Sequence, residues 1–335
     1  MKVHNLDQVI MAAAAGAHSL ALKSDGTVWE WGIGYGPPEV PSSSTPLQVA
    51  GLSRIVFIAA GVHTAYAIDE DGDVWWWGEF QGTANRGNYP AETATPLRYA
   101  ELSGCVSVAV GRGFALALDA EGRVWSWGEN RSGALGIGLE GLVSVAPQIV
   151  SIPADEGVSA IAVADNSCSI ILGAGQILSW GSNRFGELGG GGQDASFLPI
   201  PIPRLQNITF VSSGSTPFAR RSDGTWFTWS DYATPRSSFP RPFLDFAPMT
   251  EIQMSADVYS DAFFVAMKPD RTLWAWGYSS DDGRFGNATA LNNQSILPKK
   301  ALPVQDLGPV LDYSISSENV GLHGLAVLPN GTVKA

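Results

Sequence analysis

The sequence is poor in cysteine, methionine and charged residues, and it has no long apolar run. Its two cysteines among 335 residues, Cys105 and Cys168, are too few for the disulfide framework of a small secreted domain. Both lie in apolar segments, which favours two buried free thiols. No apolar run approaches the roughly 18 residues of a transmembrane helix. Amphipathic helices are also missing, since no stretch longer than about ten residues keeps a helical period.

A shortage of positive charge excludes a second group of functions. The chain has 20 Lys and Arg residues against 32 Asp and Glu residues, which gives a formal net charge of −12. Nucleic acids and anionic membranes both attract basic surfaces, so neither is expected as the main partner. With 45% hydrophobic and only 16% charged residues, the chain is expected to fold rather than to remain disordered.

An internal repeat accounts for the residues that are abundant. The 38 glycines, 21 prolines and 12 tryptophans are typical of short strands joined by tight turns. The segment 25–32 recurs at 71–78 and 121–128; weaker copies begin at Ala174, Asp223 and Asp270, and a seventh begins at Asn330. Seven units at steps of 46 to 60 residues fill the chain, which indicates one repeat domain over residues 1–335.

The tryptophans show how the sheets are covered. All 12 lie in the strand after the repeated turn, and ten occur four or six residues after the turn residue, as Trp29 and Trp31 do after Asp25. Side chains two residues apart on a strand share a face, and the alternate position, Val28 in the first unit, is also apolar. Both faces of each sheet are therefore expected to be covered. The sequence predicts an all-β fold of seven four-stranded antiparallel sheets arranged radially.

The two ends of the chain are expected to meet. The seventh unit ends before its fourth strand, whereas residues 1–6 occupy the place that residues 46–49 fill before the second unit. We therefore predict that residues 1–6 pair onto the last sheet and close the ring, which covers two otherwise open sheet edges. The segment Val9–Ala15 could pass for a short signal peptide, but it fits the repeat and is expected to belong to the mature protein.

The repeat resembles a known family. The first unit reads Gly16-Ala17-His18-Ser19-Leu20-Ala21-Leu22, followed by Asp25-Gly26 and Trp31-Gly32. This pattern resembles the regulator of chromosome condensation (RCC1) repeat, and the loops at 130–136 and 183–189 match the family's Asn-x-x-Gly-x-Leu-Gly. The resemblance spans the chain and implies a seven-bladed β-propeller. It departs at Ser230, which replaces a glycine, and in the seventh unit, which has no Trp-Gly.

The resemblance implies protein binding rather than one fixed activity. The family includes a guanine-nucleotide exchange factor for a nuclear GTPase, a plant UV-B receptor, bacterial β-lactamase inhibitors and effectors of intracellular bacteria. Their shared feature is a ring whose loops hold another protein. We expect a non-enzymatic scaffold of inhibitor or effector type that docks another protein on its loop face. A basic or mixed-charge partner is expected because the net charge is −12.

Two alternatives stay open at this point. One is a guanine-nucleotide exchange factor for a small GTPase. The other, weaker one is a UV-B-sensing propeller, although the Gly-Trp-Arg-His-Thr motifs of that receptor do not occur in this sequence. Tryptophans that obey the repeat are better explained as core residues. The free cysteines favour a cytoplasmic location, with export by a route that needs no conventional signal peptide as the alternative.

Three patterns that could indicate a ligand site are better explained by the fold. Residues 136–141 match G-x-G-x-x-G, but no helix follows, as a dinucleotide site requires. Asp69, Asp71 and Asp73 have neither the sixth-position glycine nor the closing glutamate of a calcium loop. His18, His63 and His323 share one repeat position, so separate blades should hold them apart, each bonded to a neighbouring turn. No metal, cofactor or catalytic set is predicted, and the protein is not expected to be an enzyme.

Trp76 breaks the repeat and is a candidate contact residue. Its position holds small or polar residues in other units, such as Glu30, Ser126 and Ala275. A position that tolerates polar residues indicates an exposed rim, where Trp76 would anchor a partner. In the alternative interpretation, Trp76 packs beneath the loop at 79–89.

Charged residues in the loops complete the candidate set. Arginines recur in the loop after the tryptophan strand, at Arg86, Arg131, Arg184, Arg236 and Arg284. Arginine is favoured at protein interfaces, so these residues are candidate partner contacts. For Arg131 and Arg184, the alternative is that they brace neighbouring loop carbonyls. Asp281 and Asp282 are included because they precede the longest departure from the repeat, at 287–304, and long loops on rigid scaffolds often carry function.

Overall fold

Strands make up nearly all of the described chain. The computed structural model describes residues 2–16, 18–33, 42–79, 92–139, 145–152, 156–213, 216–230, 237–243, 248–255, 263–278, 295–296, 301–316 and 323–335. Its apolar, β-branched and aromatic segments form seven antiparallel sheets. Within these ranges the one helical element is a 3₁₀ turn at Arg131–Gly133. None of the described residues form a helix long and apolar enough to cross a membrane.

Each sheet is a blade, and in the first four blades the strands are neighbours in chain order. Blade 1 comprises β1 (Val9–Ala15), β2 (His18–Lys23), β3 (Val28–Gly32) and β4 (Ser43–Gln48). Blade 2 comprises β5 (Ile55–Ala60), β6 (Thr64–Asp69), β7 (Val74–Glu79) and β8 (Glu92–Arg98). Blade 3 comprises β9 (Cys105–Val110), β10 (Phe114–Asp119), β11 (Val124–Gly128) and β12 (Val145–Ile149). Blade 4 comprises β13 (Val158–Ala164), β14 (Ser167–Leu172), β15 (Ile177–Gly181) and β16 (Ser196–Pro201).

Blades 5 to 7 follow the same order. Blade 5 comprises β17 (Ile208–Ser212), β18 (Phe218–Arg221), β19 (Trp226–Ser230) and β20 (Ser237–Pro242). Blade 6 comprises β21 (Glu251–Ser255), β22 (Phe263–Met267) and β23 (Leu273–Tyr278), with both β24 (Ser295–Ile296) and β25 (Leu302–Pro303) paired to β23. Blade 7 comprises β26 (Asp312–Ile315), β27 (Gly324–Val327) and β28 (Val333–Lys334).

The first strands of the blades form the inner ring of the molecule. Each first strand contacts the first strand of the next blade, in the order β1, β5, β9, β13, β17, β21 and β26. The strand β26 in turn contacts β1. The sheets therefore stand radially around a central axis, and the predicted all-β, seven-bladed β-propeller is confirmed.

The hydrophobic core lies between the blades. One cluster of buried side chains joins blades 2 and 3 through residues such as Tyr66, Val74 and Trp127. A corresponding cluster joins blades 7 and 1 through Leu325 and Val9. Neighbouring sheets therefore cover both faces of a blade, as the apolar alternation predicts.

Both cysteines are buried free thiols, as their apolar surroundings predict. Burial raises the pKa of Cys105 to about 12 and holds the pKa of Cys168 well above its ordinary value. The thiolate is the reactive form of cysteine, so both side chains are unreactive thiols at neutral pH.

The connections between strands fall on two ends of the ring. Successive strands run in opposite directions, so the loops after the first and third strands of every blade lie at one end. We call this end the loop face. The Asp-Gly turns and the connections from one blade to the next lie at the other end, which we call the turn face.

On the turn face, the turn between the second and third strands packs against the backbone that enters the next blade in blades 1 to 4 and 7. Gly72 has a φ of +77°, and a Cβ atom there would lie 2.5 Å from the Cα of Gly104. The Cys105 N–H donates to the Gly72 carbonyl at 2.9 Å. Both the left-handed backbone and the close approach therefore require glycine. The same bond, from the Val9 N–H to the Gly331 carbonyl at 3.0 Å, joins the last blade to the first.

The N-terminal residues lie beside the last strand. The Val3 N–H donates to the Val333 carbonyl at 2.9 Å, and Lys2 forms an antiparallel bridge with Lys334. Leu6 is buried, with 4% of its surface exposed, in the cluster between blades 7 and 1. Residues 2 and 3 thus occupy the side of β28 on which a fourth strand of blade 7 would lie.

A pair of glycine substitutions tests the contact between turn and backbone. Gly72 and Gly104 both have positive φ, but a Cβ at Gly104 would meet nothing within 4 Å. Gly104→Ala should cost only the left-handed strain, about 1–2 kcal/mol. Gly72→Ala should cost about 3 kcal/mol or more, because the blades must also move apart. Urea unfolding of both variants measures the difference, and equal losses would contradict the contact as an energetic constraint.

Deletion of residues 1–6 tests their part in blade 7. Loss of Leu6 alone should cost about 1.5–3 kcal/mol of burial energy, and the edge of β28 would open to solvent. We expect a lower melting temperature by circular dichroism than that of a chain in which residues 1–6 are kept but Lys2 is changed to Ala. An unchanged melting temperature after deletion would contradict the prediction that residues 1–6 close the ring.

Candidate functional site

The loop face carries two loops with the same internal structure. In blade 3, the Asn130 side chain accepts a hydrogen bond from the Leu135 N–H at 3.0 Å and donates one to the Leu139 carbonyl at 3.0 Å. The Ser126 hydroxyl donates to the Leu135 carbonyl at 2.9 Å. Leu135 is fully buried. The loop is therefore held both by hydrogen bonds to its backbone and by packing of the Leu135 side chain in the core.

Blade 4 repeats this arrangement. The Asn183 side chain accepts from the Leu188 N–H at 2.9 Å and donates to the Gly192 carbonyl at 3.1 Å. The Ser179 hydroxyl donates to the Leu188 carbonyl at 2.9 Å. The motif Asn-x-x-Gly-x-Leu-Gly therefore works as a local clamp, in which asparagine satisfies the loop backbone and leucine anchors it in the core.

Tryptophans of the following blade hold these loops in place. The indole N–H of Trp180 in blade 4 donates to the Ala134 carbonyl in blade 3 at 2.8 Å. The indole of Trp229 in blade 5 likewise donates to the Glu187 carbonyl in blade 4 at 2.7 Å. Both bonds are buried, and breaking them would leave polar groups unsatisfied in low-dielectric surroundings. Each loop is therefore fixed relative to the next blade.

Arg131 and Arg184 occupy the same position in the two loops, directly after the asparagine. Arg131 has 50% of its side chain exposed, and its Nε donates to the Glu129 carboxylate at 2.5 Å. Arg184 is exposed, and its guanidinium lies 5.4 Å from the centre of the Phe185 ring. The alternative interpretation, in which both arginines brace loop carbonyls, stays a prediction. The structure places two exposed guanidinium groups on rigid loops of adjacent blades.

The other charged candidates lie outside the described residues. They are Arg86, Arg236, Arg284, Asp281 and Asp282. Of the loop at 287–304, the structure describes only residues 295–296 and 301–304. Their role as partner contacts stays a prediction.

Trp76 is buried, so the prediction of an exposed rim anchor is wrong. Only 1% of the residue is exposed, and its ring stacks on Tyr99 with 6.0 Å between centroids. Tyr99 in turn lies 5.3 Å from the ring of Trp127 in blade 3. Trp76 therefore belongs to the core between blades 2 and 3. The loop of the alternative interpretation, at 79–89, lies outside the described residues beyond Glu79.

The polar residues at the Trp76 position are misleading because they are buried as well. Ser126 and Ser179 have no exposed surface, and Thr228 has 4%. Each hydroxyl donates to a backbone carbonyl, as Thr228 does to Pro217 at 3.0 Å. A small hydroxyl residue is compatible with full burial when a backbone acceptor lies within reach.

Two histidines at the shared repeat position bond to the next blade, and His18 does so at a neighbouring turn, as predicted, whereas His323 contacts a strand residue. Nε2 of His18 lies 2.7 Å from the Gly61 carbonyl oxygen of blade 2. Nε2 of His323 in blade 7 lies 2.8 Å from the Ser19 hydroxyl of blade 1. At the third such position, burial lowers the pKa of His63, so its neutral form is favoured at pH 7. His18 and His323 therefore each connect two blades.

Glu30 also connects blades, a role that the repeat pattern does not predict. One of its carboxylate oxygens lies 3.0 Å from Nδ1 of His18, and the other accepts the Trp77 indole N–H of blade 2 at 2.7 Å. The one sequence signal for this role is a charged residue at a position that is otherwise small or aromatic, in the same unit as a repeat histidine.

A small cavity lies on the loop face, at the ends of the first strands. Blades 2 to 6 line it, with Val62, Arg112, Asp165, Ser213 and Met254 among the lining residues. Its volume of about 70 Å³ is several-fold below the roughly 300–1,000 Å³ of pockets that enclose drug-sized ligands. Among the described residues, no group of three or more His, Cys, Asp or Glu is placed to hold a metal ion.

Profiles of the regulator of chromosome condensation (RCC1) repeat match the middle of the chain. The matched residues are 105–134 for one profile, and 121–171 and 174–216 for another. These ranges contain both Asn-x-x-Gly-x-Leu-Gly loops, so the resemblance to the RCC1 repeat is confirmed. No curated protein sequence matches the chain.

Solved structures with a similar fold cover nearly the whole chain. Human WBSCR16 aligns over 98% of this chain and 89% of its own, with a TM-score of 0.77 and 19% identity. Prp20p from Saccharomyces cerevisiae, studied for its binding to Gsp1p and histones, aligns over 94% of this chain and 81% of its own, with a TM-score of 0.74 and 18% identity. Yeast RCC1 (Prp20) bound to Kap60 aligns over 97% of this chain and 80% of its own, with a TM-score of 0.73 and 18% identity. At this identity the likeness shows the fold alone.

Substitution of Trp76 tests its place in the core. Trp76→Ala should cost about 3–5 kcal/mol, because it leaves a cavity among buried aromatic rings. Arg131→Ala, an exposed change on the loop face, should cost no more than about 0.5 kcal/mol. Thermal and urea unfolding measure both values. A Trp76→Ala variant as stable as the Arg131→Ala variant would contradict the buried position.

Proposed function

We propose that this chain, which carries RCC1 repeats and folds as a seven-bladed β-propeller, is a non-enzymatic scaffold that docks another protein on its loop face. The observation that carries the proposal is the pair of equally built loops in blades 3 and 4, each with an exposed arginine at the same place. A rigid docking surface of this kind suits a role as an inhibitor or an effector that acts by occupying its partner.

Preorganisation favours binding by these loops. The Asn130 and Asn183 clamps and the tryptophan hydrogen bonds fix the loop backbones before a partner arrives. Little ordering entropy is then lost on association, and more of the contact energy appears as affinity. Only the arginine side chains have to adapt.

The arginine side chains are free to change partners. The Arg131–Glu129 ion pair is half exposed on the arginine side, and such surface pairs contribute roughly 0–1 kcal/mol. A partner carboxylate or backbone carbonyl can therefore replace or join Glu129 at low cost. Arginine's planar group with several donors suits such contacts.

The net charge of the whole chain further restricts the class of partner. A net charge of −12 attracts basic or mixed-charge proteins at long range. The arginines then provide local contacts to the acidic or carbonyl groups of a mixed-charge partner. A uniformly acidic partner would be repelled.

Removal of both loop arginines tests the docking face. Arg131→Ala combined with Arg184→Ala should weaken partner capture from host lysate by about tenfold, the loss of one or two charged contacts. The matched control is Arg54→Ala combined with Arg204→Ala, which also removes one ion-paired and one aromatic-stacked arginine, but on the turn face. Quantitative mass spectrometry measures the captured proteins. A partner retained equally by all three proteins would show that the loop arginines do not contact it.

A guanine-nucleotide exchange factor is the second candidate, favoured by the RCC1 repeats over residues 105–216. This activity predicts that substoichiometric protein accelerates GDP release from a small GTPase of the host. A scaffold predicts binding without acceleration. Stopped-flow release of fluorescent GDP, measured on any GTPase captured above, separates the two: an acceleration that disappears in the Arg131→Ala, Arg184→Ala variant would replace the scaffold proposal.

A further inference from the structure

Seven equivalent positions surround the central opening on the turn face. Each is the second residue of the segment that enters a first strand, directly after a buried residue such as Val9 or Ile55. In blades 1 to 5 the pairing register shifts at this residue, which marks a β-bulge. We call these positions the turn-face ring: Leu311, Ile10, Val56, Val106, Ser159, Thr209 and Thr250.

The hydroxyl residues of the turn-face ring have a role inside the fold. Ser159 donates to the Ile171 carbonyl at 3.2 Å, and Thr250 donates to the Met267 carbonyl at 3.0 Å. Thr209 makes the corresponding bond to its second strand at 3.3 Å. In blades 4 to 6 the side chain thus donates to a carbonyl of the second strand, and in blades 4 and 5 this carbonyl lies next to the irregular pairing.

The other four members of the ring are apolar and exposed. Leu311 is 41% exposed, Ile10 48%, Val56 52% and Val106 51%. They belong to the consecutive blades 7, 1, 2 and 3, whose inner strands contact one another. We call these four residues the apolar arc. Apolar side chains that are exposed on four adjacent inner strands are suited to a site that another molecule covers.

Acidic turns lie directly outside one end of the apolar arc. The turn at 69–73 packs on Gly104, two residues before Val106, and the turn at 119–123 packs on Gly157. These turns and the adjoining connection at 98–104 carry seven carboxylates. Asp69 and Asp119 are buried and accept hydrogen bonds within their own turns. The other five, which are at least partly exposed, are Glu70, Asp71, Asp73, Glu101 and Glu121.

Nearby arginines do not neutralise this group. Among the described residues, the arginines beside it are Arg54, Arg98 and Arg123, and each already forms an ion pair with one or two of the seven carboxylates. Glu70 and Glu121 keep 57% and 70% of their side chains exposed. The surface beside Val56 and Val106 is therefore negative as well as partly apolar.

We propose that the apolar arc and the acidic turns of blades 2 and 3 form a second docking site, for a segment of another protein in which apolar side chains are flanked by lysine or arginine. The apolar arc would cover the segment's hydrophobic residues, and the exposed carboxylates would meet its cations. A second copy of this chain is disfavoured as the occupant, because both copies would bring an acidic surface. This site is independent of the loop face and its arginines.

Selection of peptides on the intact protein tests the proposal. Random peptides displayed on phage are selected on the wild type, and the enriched peptides are measured by fluorescence anisotropy. We expect enriched sequences with Leu, Ile or Phe beside Lys or Arg. Their affinity should fall as salt rises, because the charged part of the contact is exposed.

The variants use residues that the protein's own blades already carry. Ile10→Thr, Val56→Thr and Val106→Thr together place in blades 1 to 3 the threonine that blades 5 and 6 have at this position, so the fold should be kept. We expect this triple variant to bind the peptides at least about tenfold more weakly. Glu70→Gln with Glu121→Gln should also weaken binding and reduce its salt dependence.

Two controls separate this site from other surfaces. Leu47→Thr, Ile149→Thr and Leu198→Thr remove equally exposed apolar groups from outer strands and should leave peptide affinity unchanged. Arg131→Ala with Arg184→Ala should also leave it unchanged, so failure of the loop-face proposal is distinguishable from failure of this one.

Four results would overturn the proposal: no enriched peptide, enriched peptides without basic residues, binding by the triple threonine variant equal to that of the wild type, or a wild-type dimer by sedimentation that dissociates in the triple threonine variant. The last result would identify a second copy as the occupant.

Discussion

The ring depends on the contact between the turn of one blade and the backbone that enters the next blade. At six of the seven junctions, as far as the described residues show, an N–H of the entering strand donates to a turn carbonyl, at Gly26, Gly72, Gly122, Gly175, Arg271 and Gly331. Five of these acceptors are glycines with positive φ. At the sixth, Arg271 adopts a φ of +65° and donates its guanidinium to the Val310 and Leu311 carbonyls of blade 7. The side chain thus supplies hydrogen bonds where the closer glycine contact is absent, which indicates that the junction, rather than glycine itself, is the constraint.

The loop face is organised by a second set of bonds between blades. His18 and Glu30 join blade 1 to blade 2, and tryptophan indoles join each of the clamped loops to the blade that follows. Because these groups are buried, their bonds act together with the hydrophobic clusters between blades. The molecule is therefore held at both ends and between its sheets. A fold fixed in this way offers surfaces to a partner, and the side chains that can distinguish partners are those that neither set of bonds uses.

The sequence predicts the structural role of residues that recur in the repeat. It does not predict the role of a residue whose burial or partner depends on one specific contact. Repeated glycines, tryptophans and histidines are predictable because each serves the same function in several blades. Trp76 is not, because the tolerance of Ser126 and Ser179 at its position suggests exposure, whereas a backbone carbonyl within reach makes burial possible. Arg131 and Arg184 are recognisable as equivalent, but their contacts with Glu129 and Phe185 depend on neighbours that differ between loops. The role of Glu30 could not be predicted for the same reason, because its two partners, His18 and Trp77, belong to different blades.

The turn-face ring shows how function can be separated from fold in a repeat protein. A hydroxyl at this position completes a hydrogen bond with the second strand, as Ser159, Thr209 and Thr250 do. An apolar residue there forgoes that bond and exposes hydrocarbon, so it offers the fold less on both counts. If this were merely tolerated, apolar residues would be expected in scattered blades. They instead occupy four consecutive blades, and the excess of carboxylates lies beside two of the same four. The apolar arc and the excess of carboxylates coincide on one side of the turn face, and this coincidence is the basis of the proposed second docking site.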